Sequence, residues 1–244
     1  MNARLAKTRG DNLTHRLLQQ KAVLAVPVLC LTCFLLLAVF KSSFTSANMI
    51  VNSWSASIQT SSFTAVAVAI SDVFDTEILL PISLVVAAAL FFSNYREYSA
   101  LVVGAMGGDA VILLITKTFI QSPRPADALV YDASNSFPSG EVTSCIVLFG
   151  MLAYLVWQVR GNSEAKSFSA AFSFAMFSVV SLDRIYLNVH WFTDVLGGCL
   201  LGAFWLTFSI LVFQYLVATN KLPKLLVQHK DNRIQASQQI LRNQ

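Results

Sequence analysis

Apolar residues in this 244-residue chain gather into long, nearly uncharged blocks at positions 22–40, 76–92, 100–119, 141–158, 168–187 and 194–217. Most charged residues lie outside them. A helix rising about 1.5 Å per residue covers roughly 28 Å in 19 residues, close to the thickness of a bilayer's hydrocarbon core. The pattern predicts an all-α integral membrane protein of six transmembrane helices. An even number of spans puts both chain ends on one side. Positions 22–217 form the membrane domain, preceded by a polar, basic segment at 1–21 and followed by a polar, Gln-rich tail at 218–244.

The first block is too long for the apolar core of a secretory leader, and no convincing small-residue cleavage site follows it, so it is expected to stay as a span. Positions 41–75 are Ser-rich and mixed. There Ile50, Trp54 and Ile58 recur at helical spacing, which suits a short helix lying at the membrane interface. An ordinary loop fits the same segment.

Composition agrees with lipid as the solvent: 55% of residues are hydrophobic and 12% charged, against about a quarter charged in soluble domains. The net charge of +4 does not point to nucleic acid, because the basic residues flank apolar blocks without interleaved aromatics. They set topology instead. Arg4, Lys7, Arg9, Arg16 and Lys21 precede the first span, and Lys221, Lys224, Lys230, Arg233 and Arg242 follow the last. Both termini are therefore expected in the cytoplasm, with Arg96, Arg160 and Lys166 in inner loops. Lys41, Lys117, Arg124 and Arg184 remain outside. Cys30, Cys33, Cys145 and Cys199 lie in apolar blocks without metal-ligand spacing and read as buried small hydrophobes. No internal repeat is apparent.

Three clusters that can do chemistry share the outer face: KTFIQSPRP at 117–125, FPSGE at 137–141 and DRIYLNVHWFTD at 183–194. A lysine at the end of an apolar helix can simply snorkel, but Arg124 seven residues beyond Lys117 adds a bidentate anion donor on a proline-stiffened backbone. Pro138-Ser139-Gly140 opens a span. Such a start is common, yet its free amides and positive helix end also favour an anion. His190 and Asp194 are four apart, so the carboxylate can reach the imidazole and fix its tautomer if the segment is helical. The other histidines, His15 and His229, lie in the end segments. Asp109, inside the third block, is a further intramembrane carboxylate whose partner the sequence does not name.

In order, these residues read Lys117, six residues, Arg124-Pro125; Pro138-Ser139-Gly140-Glu141; Asp183-Arg184, five residues, His190, three residues, Asp194. Over roughly positions 100–200 the chain resembles the type 2 phosphatidic acid phosphatase family of membrane lipid phosphatases, whose pattern is K-x6-RP, PSGH and SR-x5-H-x3-D. The resemblance implies that His190 is a nucleophile forming a phosphohistidine and that Asp194 orients it. It also implies that Lys117, Arg124, Arg184 and the amides of Ser139 and Gly140 hold the phosphoryl oxygens. That assignment agrees with the need to stabilise charge on those oxygens during transfer. No metal or other cofactor is expected. The partners expected are a phosphorylated lipid substrate and membrane lipids.

The chain departs from the pattern twice. Glu141 replaces the histidine that protonates the leaving oxygen, and Asp183 replaces the serine before the arginine. A glutamate serves as general acid only when protonated, which a bound phosphate dianion would favour. If it is a poor acid, substrates with good leaving groups suffer least, which ranks a polyprenyl diphosphate above phosphatidate, phosphatidylglycerol phosphate or a glycolipid phosphate. Two other readings of the extra carboxylates stay open. Glu141 can pair with Arg124 or Arg184 in a headgroup-binding or scaffold protein without catalysis. Alternatively, Glu141, Asp183, Asp194 and His190 can bind a divalent ion. A transporter would be expected to show a repeat.

Overall fold

The computed structural model describes residues 24–159 and 162–219, so the expectations for both chain ends fall outside the described residues. The described residues form helices and connections, with no strand. Helix α1 runs Leu24–Val39. A 3-10 turn, Lys41–Phe44, leads into α2, Thr45–Ser57. Next come α3 (Ser61–Val73), α4 (Thr76–Phe92), α5 (Arg96–Phe119), α6 (Gly140–Val159), α7 (Ser163–Tyr186) and α8 (Phe192–Ala218).

Helices α5 to α8 are each long and apolar enough to cross a membrane. The remaining spans are bent. The Lys41–Ser57 segment turns 77° from α1, and α4 turns 48° from α3. Counting each bent pair as one span gives six.

The segment 41–75 is helical but carries two helices where one was expected. Ile50, Trp54 and Ile58 all face outward at the end of the chain's first elbow. The second helix, α3, was missed because its Ser-rich start resembles a loop; Thr60 caps it by accepting from the Phe63 amide at 3.4 Å. Helices α5 and α7 begin several residues before the apolar blocks do. Their first turns carry Glu97 and Glu164, acids that suit a helix N-terminus. Of the cysteines, Cys145 is buried, whereas Cys30, Cys33 and Cys199 are only half-buried.

Helix α6 is the central element and packs against α4, α5, α7 and α8. Val142, Cys145, Val147, Leu148 and Met151 on α6 meet Val102, Ala105 and Met106 of α5, Val180 of α7 and Val195 of α8 in one core. Small residues bring α8 close to α6. A Cβ on Gly198 would lie 2.8 Å from the Ser139 carbonyl, and one on Gly202 would lie 3.1 Å from the Thr143 carbonyl. Two glycines four apart thus let backbones approach as side chains could not. The contact falls at the first turn of α6, so it also sets how Ser139 and Glu141 sit against the start of α8.

Replacing Gly198 with alanine should therefore cost about 1–3 kcal/mol through overpacking against a backbone atom. Gly107→Ala, where nothing lies within 4 Å, should be neutral or slightly stabilising because alanine favours the helix. Equilibrium denaturation of the two variants in detergent compares them directly. Equal stability would contradict the close-packed α6–α8 seam.

Candidate active site

The three polar clusters meet at one end of the bundle. The α5–α6 connection carries Arg124, Asp132 and Ser134, α6 begins at Gly140, α7 ends after Arg184, and α8 starts just beyond His190. Asn188 ends α7 with a φ of 53°, the left-handed conformation that asparagine tolerates past a helix end. The short turn that follows presents His190. The Asp194 carbonyl accepts from the Ser139 amide at 3.0 Å, joining the starts of α6 and α8.

His190 is 3% exposed and its ring is held at both nitrogens. Nδ1 lies 2.8 Å from the Ser136 carbonyl oxygen. A carbonyl oxygen can only accept, so a proton is assigned to Nδ1. Nε2 then faces the site, 3.2 Å from Arg124 Nη1 and 3.2 Å from Glu141 Oε2. The guanidinium can only donate. In the Nδ1–H tautomer the Nε2 lone pair is therefore directed to the point where Arg124 and Glu141 converge. A proton shared with Glu141 is the other state this geometry permits.

The cations around that point are anchored differently. Arg124 donates from Nη1 to the Val189 carbonyl at 2.8 Å and from Nε to the Ser134 carbonyl at 3.0 Å, and pairs with Asp132 through Nη2. Arg184 is buried, bound by Asp183 at 2.5 Å and by Glu141 at 3.3 Å. Lys117 donates to the Ser134 hydroxyl at 3.0 Å, and its Nζ lies 3.8 Å from where a Gly140 Cβ would be. Ser134 thus supports both Lys117 and Arg124, since its hydroxyl also accepts from Arg124 Nη2 at 3.1 Å.

The structure places Lys117, Arg124, Gly140, Glu141, Arg184 and His190 near one another, with three departures from the expected arrangement. First, the Ser139 amide is taken by the Asp194 carbonyl and is not offered to a ligand; its hydroxyl instead donates to Glu141 Oε2 at 3.1 Å. Second, Asp194 is near the imidazole but is not its direct hydrogen-bond partner. Its Oδ2 lies 3.7 Å from Nδ1 and accepts from the Trp191 amide at 2.9 Å, and its Oδ1 pairs with Lys41 at 2.7 Å. Residues 187–191 are not helical, so the ring meets Ser136 first. Third, Glu141, Asp183, Asp194 and His190 do not form a ligand cluster: among the described residues no three His, Cys, Asp or Glu side chains are grouped to hold a metal ion.

Sequence reasoning missed Lys41, Asp132, Ser134 and Ser136. The last three lie in the short polar run 132–136, whose side chains readily bond nearby backbone and so form a tight connection. Lys41 was legible only as the one outward cation without a role. Asp109, the intramembrane carboxylate, accepts from the Ser144 hydroxyl at 2.6 Å within the α5–α6 packing.

Comparison with known proteins places these features in a wider set. The sequence profile of the PAP2 superfamily matches residues 98–218, the stretch from α5 to the end of α8. The chain is 33% identical over 126 residues to phosphatidylglycerophosphatase B of Bacillus subtilis (strain 168), covering 51% of this chain. That match spans 62% of the relative's length, under two thirds of it. In three dimensions the chain is similar to the crystal structure of a transmembrane PAP2-type phosphatidylglycerolphosphate phosphatase from Bacillus subtilis. The TM-score is 0.71 at 26% identity, covering 82% of this chain and 98% of that one.

The two acid partners of the arginines should differ sharply in importance. Asp183→Ala leaves the buried Arg184 guanidinium with Glu141 alone and should cost about 3 kcal/mol, the lower end for breaking a buried pair. The Asp132 side chain is 36% exposed, so Asp132→Ala should cost under about 1 kcal/mol. Denaturant midpoints of both variants measure this, and a larger loss at Asp132 would refute the assignment.

Proposed function

Because this chain belongs to the PAP2 superfamily, we propose that it is a membrane lipid phosphatase that hydrolyses a phosphorylated lipid by way of a phosphohistidine at His190. The observation that carries this reading is the placement of Nε2 between Arg124 and Glu141 at 3.2 Å each. A nucleophile, a hydrogen-bond donor for phosphate and a proton carrier thereby meet at one point.

The chemistry follows from that placement. Substrate phosphate enters among Arg124, Arg184 and Lys117 while Glu141 is protonated at Oε2, the state a bound dianion favours, so that the Nδ1–H imidazole presents a free Nε2 lone pair. The Nε2 lone pair attacks phosphorus while the bond to the lipid oxygen breaks, and Glu141 gives its proton to that oxygen. Water then attacks the phosphohistidine and gives a proton to Glu141, releasing inorganic phosphate and restoring the imidazole. The three cations and the start of α6 stabilise the equatorial oxygens throughout. Ser139 supports the proton carrier by donating to Glu141 Oε2. Asp194 acts behind the ring. The site is read as facing the exterior with both termini cytoplasmic, from the distribution of lysine and arginine along the sequence.

Two arguments bear on the substrate. The Bacillus relative is named for phosphatidylglycerol phosphate, a monoester. Glu141 in place of histidine favours a better leaving group, as in a polyprenyl diphosphate. The 3.3 Å pair between Glu141 and Arg184 also supports a second reading, a headgroup-binding protein whose site is locked by that pair.

Phosphate release from phosphatidate, phosphatidylglycerol phosphate and a polyprenyl diphosphate, by purified protein across pH, separates these readings. His190→Ala should abolish release from all three. Glu141→Gln should slow phosphohistidine formation from the monoesters by about 10²–10⁴-fold, the usual contribution of a general acid, and slow its formation from the diphosphate less. Glu141→His should raise monoester turnover. Faster monoester than diphosphate turnover by the native chain would reject the leaving-group ranking. Binding of lipid phosphates without release would establish the second reading.

A further inference from the structure

Lys41 sits at the elbow between α1 and α2, distant in sequence from every motif that assembles the site. Its ammonium nevertheless reaches the back of the His190 ring. It pairs with Asp194 Oδ1 at 2.7 Å, donates to the Ser122 hydroxyl, and lies 4.7 Å above the Phe137 ring. The first two of these contacts lead to His190. Asp194 Oδ2 is 3.7 Å from Nδ1. Ser122 is bonded twice to Ser136, through the Ser136 amide at 2.9 Å and between the hydroxyls at 2.9 Å. Ser136 supplies the carbonyl that Nδ1 binds.

We infer that Lys41 is a positioning residue for the nucleophile, holding the two groups behind Nδ1 so that Nε2 stays aimed into the site. The inference rests on the proposed role of His190. Its physical content is a competition. The Asp194 side chain is fully buried, and a buried carboxylate deprived of its cation draws on the nearest donor. With Lys41 gone, that donor is the Nδ1 proton. The ring then turns from the Ser136 carbonyl toward Asp194, and Nε2 leaves the point shared by Arg124 and Glu141. Asn48, one helical stretch further along α2, fixes the same turn independently. It accepts from the Thr193 amide and donates to the Thr193 hydroxyl, both at 3.1 Å, so the backbone at the start of α8 is kept when Lys41 is replaced.

The test compares Lys41→Met and Lys41→Arg in the full-length protein by two readouts. In kinetics with a lipid phosphate, Lys41→Met should lower kcat by about 10–100-fold, as loss of an orienting partner does, with KM changed less than about threefold. Lys41→Arg should recover most of the rate, and Lys41→Met should add little to the defect of Asp194→Asn. The second readout is ¹⁵N NMR of histidine-labelled protein, tractable because the chain has three histidines. The native His190 should show the Nδ1–H tautomer, and Lys41→Met should shift its ring resonances while Lys41→Arg leaves them in place. A raised KM with unchanged kcat would make Lys41 a substrate contact and overturn the inference. Unmoved ring resonances would overturn it equally. If the native protein releases no phosphate from any lipid, the proposed function fails while the NMR comparison still decides the role of Lys41. Should Lys41→Met not fold, Lys41→Gln is read in the same way.

Discussion

The hydrogen bond between His190 Nδ1 and the Ser136 carbonyl, 2.8 Å long, is the contact on which the rest of the site depends. An imidazole has two nitrogens of similar chemistry, and only its surroundings decide which one presents a lone pair to a ligand. A main-chain carbonyl is a dependable choice because it can neither donate nor ionise. It is itself held in place: Ser136 is tied to Ser122 and to the Pro123 carbonyl, so the connection between α5 and α6 is folded against the turn between α7 and α8. Glycines 198 and 202 let the starts of α6 and α8 meet, and the Ser139 amide to Asp194 carbonyl bond closes the frame.

Around that frame, charge is distributed so that cations are held without being used up. Arg184 lies between Asp183 and Glu141, Arg124 reaches Asp132, and Lys41 reaches Asp194. Buried ion pairs of this kind contribute little net stability, because desolvation offsets their attraction. What they do well is fix direction. A guanidinium already oriented by a carboxylate need not reorganise when a phosphoryl group gathers charge in front of it, and that preorganisation is the largest contribution a protein makes to such a reaction. Lys117 meets a hydroxyl instead of a carboxylate, which in the proposed function leaves its charge for an incoming dianion. Glu141 is bonded by Arg184, His190 and Ser139 together.

Much of this was legible because lipid imposes a simple code. Long apolar blocks must be helices, and a charged residue inside or at the edge of one needs a reason. That logic singled out Lys117 and Asp109, while the resemblance to a lipid phosphatase family implied that Arg124, Arg184 and Glu141 share a site with Lys117. It failed where a weak signal carried structure. Thr60 starts α3 in a Ser-rich stretch that also reads as a loop, and the elbow at Lys41 hides the fact that α2 folds back over the site. The short polar run 132–136 gave no periodicity, although its serine and aspartate side chains organise both Lys117 and Arg124. Asp194 illustrates a subtler limit. Spacing of four placed it close to His190, but only coordinates reveal that a carbonyl from another segment is closer and that the carboxylate is shared with Lys41.

The central claim is that the Nε2 atom of one buried imidazole accepts a phosphoryl group. It is tested most directly by mixing purified protein with a radiolabelled lipid phosphate, quenching in alkali within milliseconds, and mapping the bound phosphate by mass spectrometry. The account predicts an acid-labile, alkali-stable phosphohistidine at His190, substituted on Nε2, appearing and decaying at rates that match turnover. Phosphate found on another side chain, or turnover that persists in His190→Ala, would contradict it.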